Sequence, residues 1–383
     1  MPKKSDAKTA EKEKGVLLPA KNVKRGFCAL REVPQRQFSP DVSHERAQLL
    51  IVLSNKWVNG TVLHYYFFDK PSDQTAVVLG NGQTEWVPWT TTKAEMDVVR
   101  RAFGIWKALG IGLDFQEVKS RDEAEVRIGF MRGDGAWSYI GRDILGIARD
   151  DRTMNFGWDL TQPGEIDTAL HEIGHTLGFP HEHQNPNAGI VWNEEAVYEE
   201  LGGPPNNWSR ETTFYNIIRK IPAAEVRGSN WDPDSIMHYP FSGGLIREPA
   251  QYRQNGIQPA GGLSTLDRTY ALNFYPTLTP QDYTELKPFQ SVKLNLNNGQ
   301  QRNFTITPEA TRYYEIRTFG VSDSVLVLFE DVEGKLRYRT ADDDGGTNEN
   351  ARIRVKLYAG RKYVVRLRLY HSDRASETTL MMY

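Results

Sequence analysis

The stretch His171-Glu-Ile-Gly-His175-Thr-Leu-Gly178-Phe-Pro-His181-Glu182 carries both the clearest helix pattern and the clearest chemical pattern of the sequence. Its apolar residues recur at helical spacing, which predicts a helix that ends at Gly178. His171 and His175 are four residues apart, so on that helix both imidazoles project from one face, about one turn apart. The stretch therefore predicts a helix that presents two imidazoles side by side.

Two neighbouring imidazoles suit two positions of a tetrahedral zinc ion. Gly178 lets the chain leave the helix sharply, so that His181 can return as a third ligand. Three neutral ligands leave one position open for water, which is typical of a catalytic zinc site and not of a closed structural one. Glu172 lies beside the ligands, where its carboxylate can reach a zinc-activated water. A helix with surface histidines is the plain alternative, but this spacing is expected by chance at a frequency on the order of 10⁻⁵.

A second short motif, Ser235-Ile-Met237-His-Tyr239, follows the histidines along the chain. Together the two motifs match H-E-x-x-H-x-x-G-F-x-H-E followed by a turn with the pattern S-x-M-H-Y. On these residues the sequence resembles the astacin family of the metzincin clan, whose members are zinc endopeptidases. The resemblance covers about residues 50–276 and is strongest at the two motifs.

The resemblance implies a zinc-dependent metalloendopeptidase that hydrolyses peptide bonds in protein or peptide substrates. In this implied mechanism His171, His175 and His181 bind Zn²⁺, and Glu172 is the general base toward a zinc-activated water. A non-catalytic, zinc-bearing adhesion or peptide-binding protein is the alternative, and the intact Glu172 and Tyr239 argue against it. A zinc hydrolase for another class of substrate is a further alternative, and the third histidine with its Met-turn argues against that one.

Three further residues take roles by resemblance. Met237 would form an apolar floor beneath the zinc at the Met-turn. Tyr239 would be a mobile extra ligand that swings away to hydrogen-bond the tetrahedral intermediate, and a phenol donor can stabilise an oxyanion. Glu182 would be linked to the new N-terminus that forms on activation. His183 and His238 are not needed as zinc ligands, and we interpret them as orienting or surface residues.

The resemblance also implies an α+β fold. A metzincin-type catalytic domain has a twisted, mostly parallel sheet with an antiparallel edge strand, an active-site helix and a Met-turn. Residues 127–130 and 137–141 resemble the edge strand that pairs with an extended substrate. Farther on, short alternating segments separated by turns predict a C-terminal all-β sandwich. We expect three parts: an N-terminal tail or pro-segment over 1–46, the catalytic domain over 47–280 and the sandwich over 285–383.

Composition excludes several other classes of protein. The 383 residues include 47 Lys and Arg against 49 Asp and Glu, for a net charge of −2. A nucleic-acid-binding protein would show a basic excess at this level, so no nucleic-acid partner is expected. No apolar run approaches the ~20 residues of a membrane span. The single cysteine excludes an intrachain disulfide, and the sequence does not indicate an oligomeric state.

That cysteine, Cys28, lies upstream of the catalytic domain in Arg25-Gly-Phe-Cys28-Ala-Leu-Arg31. A thiolate is a good zinc ligand, and an upstream segment could place it at the open position and exclude water. Several metzincin families keep their zymogens latent in this way. Astacins more often use an aspartate in an F-x-G-D pattern, which this tail lacks. We therefore predict a cysteine latch, with an ordinary thiol as the alternative.

Residues 285–383 resemble the pre-peptidase C-terminal type of β-sandwich that is appended to secreted bacterial proteases. Their acidic loop, Asp342-Asp343-Asp344-Gly-Gly, could hold Ca²⁺ because clustered carboxylates on a turn supply hard oxygen ligands. A solvated turn is the plain alternative. The family resemblance implies a secreted, extracellular protein, although the N-terminus lacks the apolar core of a signal peptide. The cleavage preference, the physiological substrate and the activating cut are not predicted.

Overall fold

The computed structural model describes most of the chain. It describes residues 27, 28, 30, 31, 55–57, 59–79, 82–204, 206–222, 230–278, 283–296, 300–343, 345–348, 350–369 and 376–383. Most of the predicted tail over 1–46 therefore lies outside the described residues. The chain divides into two compact units. One comprises residues up to 56, 64–105 and 117–268, and the other comprises 57–63, 106–116 and 269–383. The division into three consecutive parts stays a prediction.

Five strands of the chain form one sheet. Its strands are β1 (Val62–Phe67), β4 (Asp114–Glu117), β5 (Val126–Gly129), β6 (Trp137–Ser138) and β7 (Met154–Asn155). Their order is β4-β1-β5-β7-β6. The pairs β1/β5 and β5/β7 are parallel, whereas β6 pairs antiparallel with β7 at the sheet edge. The predicted mostly parallel sheet with an antiparallel edge strand is confirmed.

One part of the edge-strand prediction is wrong. The resemblance places residues 127–130 at the edge together with 137–141, but β5 lies inside the sheet, between β1 and β7. All four residues of β5 are buried, as is typical of an interior parallel strand that is covered on both faces. Arg127 in this strand is buried as well, and its guanidinium donates to backbone carbonyls such as Asp151 O and Ile147 O. Of the two predicted segments, only 137–141 contributes an edge strand, β6, and β4 lies at the opposite edge.

Five α-helices accompany the strands in the described residues. They are α1 (Lys93–Ala108), α2 (Ile166–Thr176), α3 (Glu194–Gly202), α4 (Arg210–Thr213) and α5 (Thr265–Phe274). A π-helical turn, Phe214–Ile218, continues α4. Helix α1 buries the apolar residues Val98 and Ala102, which lie four residues apart on one face. Within the described part of the chain, no helix has the length and apolar character needed to cross a membrane.

Two small antiparallel pairs complete the first unit. The strands β2 (Gln74–Val78) and β3 (Thr84–Pro88) form one pair, and β8 (Val191–Trp192) and β9 (Ile246–Glu248) form the other. Neither pair was predicted from the sequence. The strands of the second pair are two and three residues long and far apart in sequence, so they leave little alternating pattern to detect.

The C-terminal part of the second unit is all β. Its strands are β10 (Thr284–Glu285), β11 (Val292–Leu296), β12 (Gln301–Ile306), β13 (Arg312–Phe319), β14 (Ser324–Val332), β15 (Lys335–Asp342), β16 (Arg352–Leu357), β17 (Lys362–Leu369) and β18 (Ser376–Met382). They form two sheets, β10-β12-β17-β14-β15 and β11-β18-β13-β16. Apolar residues from both sheets, including Leu328, Val365 and Ile316, form one buried cluster. The predicted all-β fold is confirmed. Strands β10, β15 and β18 were not among the segments predicted from the alternation of apolar and polar residues.

Candidate metal centre and catalytic site

Helix α2 and the turn after it bring the three motif histidines together. Ala169, Leu170 and Ile173 anchor the helix in the core. Gly178 follows with φ +96°, a left-handed conformation that favours glycine, so the chain turns back at that point. The Nε2 atoms of His175 and His181 then lie 3.1 Å apart. The sharp turn predicted at Gly178 is present.

Backbone carbonyls orient two of the imidazoles. The Nδ1 of His171 is 2.7 Å from Ile236 O, and the Nδ1 of His175 is 2.8 Å from Phe179 O. A carbonyl only accepts hydrogen bonds, so each Nδ1 carries the proton and each Nε2 keeps its lone pair. Burial lowers the pKa of His171 to about 4 and lowers the pKa of His175 well below its usual value. Both side chains are therefore neutral.

The ligand atoms of Cys28, His171, His175 and His181 lie within 4.8 Å of one another, and all four residues are buried. In the described part of the chain, this is the one group of His, Cys, Asp and Glu side chains with such a spacing. His171 Nε2 is buried there without a hydrogen-bond partner among the described residues. A buried lone pair without a donor, beside two more imidazoles and a thiol, fits a metal with the ligand preference of zinc.

Glu172 lies beside this cluster. Its side chain is buried, and burial raises the pKa of its carboxyl to about 8. A cation held by the histidines would oppose that shift. The Cys28 thiol lies 3.5 Å from Glu172 Oε2 and donates to it. The carboxyl group therefore faces the same space as the four ligand atoms.

Tyr239 borders the cluster on another side. Its hydroxyl donates to Cys28 O at 2.5 Å and lies 2.5 Å from His181 Nε2. Burial raises the pKa of the phenol well above 10, so the hydroxyl keeps its proton. The ring of His183 stacks on the Tyr239 ring with centroids 4.8 Å apart. His183 and His238 are both buried, so the surface alternative for these two histidines is wrong.

The Met-turn is held by a residue that the sequence analysis had not assigned to the site. Asp267, on α5, accepts hydrogen bonds from Ser235 Oγ at 2.6 Å and from the Ile236 N–H at 2.8 Å. The carbonyl of Ile236 in turn receives the Nδ1 proton of His171. Met237 is buried next in the chain. In the sequence, Asp267 had only the signature of a residue in the first turn of a helix.

Glu182 also contacts the residues that precede this turn. Its Oε1 accepts from the Asp232 N–H and from Asn185 Nδ2, both at 3.0 Å. Burial raises the pKa of its carboxyl to about 7. The Glu182 N–H donates to Met237 O at 3.0 Å. These contacts join the end of the histidine motif to the Met-turn, and a link from Glu182 to a new N-terminus stays a prediction.

The residues next to Cys28 contact distant parts of the chain. The Phe27 N–H donates to Asn206 Oδ1 at 2.8 Å, and the Leu30 N–H donates to Asn216 Oδ1 at 2.9 Å. The Phe27 ring packs on Phe241 with centroids 5.7 Å apart. Each of these contacts joins residues more than 170 positions apart, so none of them could be inferred from local sequence patterns.

The predicted calcium loop gains no support. Asp344 lies outside the described residues. Asp342 Oδ2 accepts from the Gly345 N–H and the Arg352 N–H, both at 2.7 Å, which is the pattern of a carboxylate that closes a turn.

Residues 86–244 match the family model described as Astacin, which is a family of peptidases. This segment contains the histidine motif, Glu172, Glu182, Met237 and Tyr239. The chain is astacin-like across this region. For residues 285–383, the structure supports the predicted all-β fold and no finer likeness to pre-peptidase modules.

Relatives among known proteins agree with this match. Protein SpAN of Strongylocentrotus purpuratus is 28% identical over 156 residues, covering 39% of this chain and 22% of the relative. Human Tolloid-like protein 1 is 31% identical over 156 residues, covering 39% of this chain and 14% of the relative. The chain thus spans less than a quarter of the length of these two relatives. The solved structure of myroilysin superposes with a TM-score of 0.50 at 29% identity, covering 60% of this chain and 98% of myroilysin.

Proposed function

We propose that this protein is a zinc-dependent metalloendopeptidase, kept latent by Cys28 until the segment around that residue is displaced. The observation that carries the proposal is the convergence of three imidazoles, one carboxyl group and one phenol on a single buried point. The astacin-like match over residues 86–244 supports a metallopeptidase. Secretion follows from the resemblance alone and stays a prediction.

The zinc ligands in this proposal are His171, His175 and His181. Zinc at this position, when bound, would lower the pKa of water and polarise a peptide carbonyl. Glu172 then accepts a proton at its carboxylate and passes it to the leaving amine, which is the general acid–base role that its proximity permits. Buried, neutral Tyr239 donates a hydrogen bond to the negative charge that develops on the carbonyl oxygen.

The latch explains two contacts that a peptidase site would not otherwise need. The Cys28 Sγ lies among the ligand atoms, and it would exclude water from the open position of a bound zinc. The carbonyl of the same residue accepts the hydrogen bond of Tyr239. One residue therefore blocks the metal and engages the oxyanion donor. The chain becomes active when the segment leaves and both positions are free.

The test is a time course with a mixed peptide pool, read by mass spectrometry, on the zinc-loaded full chain. We expect Cys28→Ala to cleave peptides and the Cys28→Ala/Glu172→Gln double variant to be slower by about 10²–10⁴-fold, because it lacks the general base. Both should hold zinc equally, as measured by metal analysis after gel filtration. Binding of peptides without cleavage by Cys28→Ala would contradict the proposal and favour a non-catalytic peptide-binding protein.

A further inference from the structure

The position of Arg31 bears on which substrates the proposed active site accepts. Arg31 follows Cys28 by three residues and lies at the edge strand β6. Its guanidinium is 4.2 Å from the centroid of the Trp137 ring. One of its nitrogens lies 3.4 Å from both carboxylate oxygens of Asp134. An ion pair and a cation–π contact thus act on one side chain.

The two residues that hold Arg31 are themselves fixed. Trp137 is buried in β6 and donates its indole N–H to Asp134 Oδ2 at 3.1 Å. Buried Arg152 lies 3.0 Å from the same Asp134 oxygen. The Asp134 side chain is only 11% exposed, whereas that of Arg31 is 36% exposed. The acidic and aromatic surfaces therefore belong to the scaffold, and the arginine is the part that can leave.

Arg152 does not remove the preference for a cation at this place. Its attraction to Asp134 outweighs its repulsion of Arg31, so the two guanidinium groups can share that carboxylate. The Arg152 guanidinium lies 4.8 Å from the ring centroid of Trp89 and 5.2 Å from that of Trp137. Asp134 and Trp137 nevertheless hold Arg31 as a second cation, with an Arg31 nitrogen 3.4 Å from the carboxylate oxygens and its guanidinium 4.2 Å from the ring centroid.

We propose that Asp134 and Trp137 form a subsite for an arginine or lysine side chain of the substrate, which Arg31 occupies in the latent chain. The inference rests on the proposed function. A substrate that adds as a strand along the edge strand β6 places its side chains past Trp137 in turn. Since Cys28 lies among the proposed zinc ligands, the cationic residue would lie within about three residues of the scissile bond, on one side of it only.

An arginine should be preferred to a lysine at this subsite. The planar guanidinium stacks on an indole ring and can face two carboxylate oxygens together, whereas an ammonium group is a compact and more strongly hydrated charge. The ion pair at Asp134 and the ring contact are each modest, so we expect their sum to favour arginine over a neutral isostere by about five- to thirtyfold.

The experiment uses the full chain carrying Cys28→Ala. Cleavage sites in a mixed peptide pool first locate the position at which basic residues are enriched. Four matched peptides then carry arginine, lysine, citrulline or glutamine at that position, since citrulline keeps the shape of arginine without its charge. We expect kcat/KM to be about five- to thirtyfold higher for arginine than for citrulline. A ratio below twofold at every position overturns the inference, while peptide cleavage itself still supports the proposed function.

Two variants assign the preference to the residues. Asp134→Asn should bring the arginine-to-citrulline ratio below twofold, whereas exposed Asp122→Asn should leave the ratio unchanged. A ratio that survives Asp134→Asn overturns the assignment. If Asp134→Asn slows the citrulline peptide as well, Arg31→Gln in the latent chain provides the second measurement. It should raise basal peptide cleavage about fivefold, and unchanged cleavage overturns the inference. If the Cys28→Ala chain cleaves none of the peptides, the proposed function is rejected instead.

Discussion

Two parts of the chain deliver ligand atoms to the same buried cluster, and they are held in different ways. The histidines come from helix α2 and the turn after it, where the helix is anchored in the core and backbone carbonyls fix two of the rings. Cys28 comes from a segment more than 140 positions upstream. It is held by hydrogen bonds from the backbone N–H groups of Phe27 and Leu30 and by the ion pair of the Arg31 side chain.

The difference indicates which ligands are permanent. Removing an imidazole means unpacking a core helix, whereas removing the thiol means breaking a few hydrogen bonds, one ion pair and some ring contacts. Each neutral hydrogen bond contributes about 1 kcal/mol and a half-exposed ion pair no more. In our account the histidines form a lasting metal site, and Cys28 is a ligand that can be withdrawn.

The largest expected effect concerns zinc affinity and tests whether the histidines and Cys28 differ as ligands. His175→Ala should lower zinc affinity by well over ~100-fold, more than is typical for loss of an outer hydrogen-bond partner. Cys28→Ser should keep zinc through gel filtration in the presence of a competing chelator. Metal content by mass spectrometry measures both. Equal loss of zinc from the two variants would mean that thiol and imidazoles are equivalent ligands.

A second prediction concerns activity. Cys28→Ala should raise the peptidase activity of the uncleaved chain about 10- to 100-fold, because an unlatched state populated at about 1–10% becomes the dominant one. The measurement is the initial rate with a fluorogenic peptide, and intact mass spectrometry confirms that the N-terminal segment has not been trimmed. Equal rates for the parent and the variant would show that Cys28 does not keep the chain latent.

A variant of Asp267 tests how the lasting histidine site is supported. Asp267→Asn should weaken zinc binding about tenfold, near the low end for outer-shell changes, since it acts on His171 through the carbonyl of Ile236. Exposed Asp159→Asn serves as the control. Zinc competition titrations measure the affinity, and circular dichroism verifies the fold. If Asp267→Asn binds zinc as the parent does, the Met-turn does not need its anchor on α5.

The smallest expected effect tests how the segment that carries Cys28 is held. Asn206→Ala deletes the acceptor for the Phe27 N–H, and the loss of about 1 kcal/mol should raise basal activity of the uncleaved chain about fivefold. Asn255→Ala is the matched control, because Asn255 is an exposed asparagine. Basal rates that do not differ between the two variants would show that this hydrogen bond does not hold the latch.

The sequence predicted the local parts of the site better than its distant supports. The histidines and the turn at Gly178 follow from spacing within a single short motif, and the helix that carries them has a clear apolar face. Asp267 escaped notice because its partners at the Met-turn lie far upstream, and a helix-initiating aspartate is common. Strand β5 was expected at the edge because its residues resemble the edge strand of metzincin domains, but strand order depends on long-range pairing.

X-ray absorption at the zinc edge of the purified, uncleaved chain tests the central claim most directly. Our account predicts three nitrogen ligands at about 2.0–2.1 Å and one sulfur at about 2.3 Å. In Cys28→Ala the sulfur should be lost and replaced by a light atom, while the three nitrogens remain. A parent spectrum without sulfur, or one with fewer than three imidazole nitrogens, would contradict the account of a lasting histidine site closed by a removable cysteine.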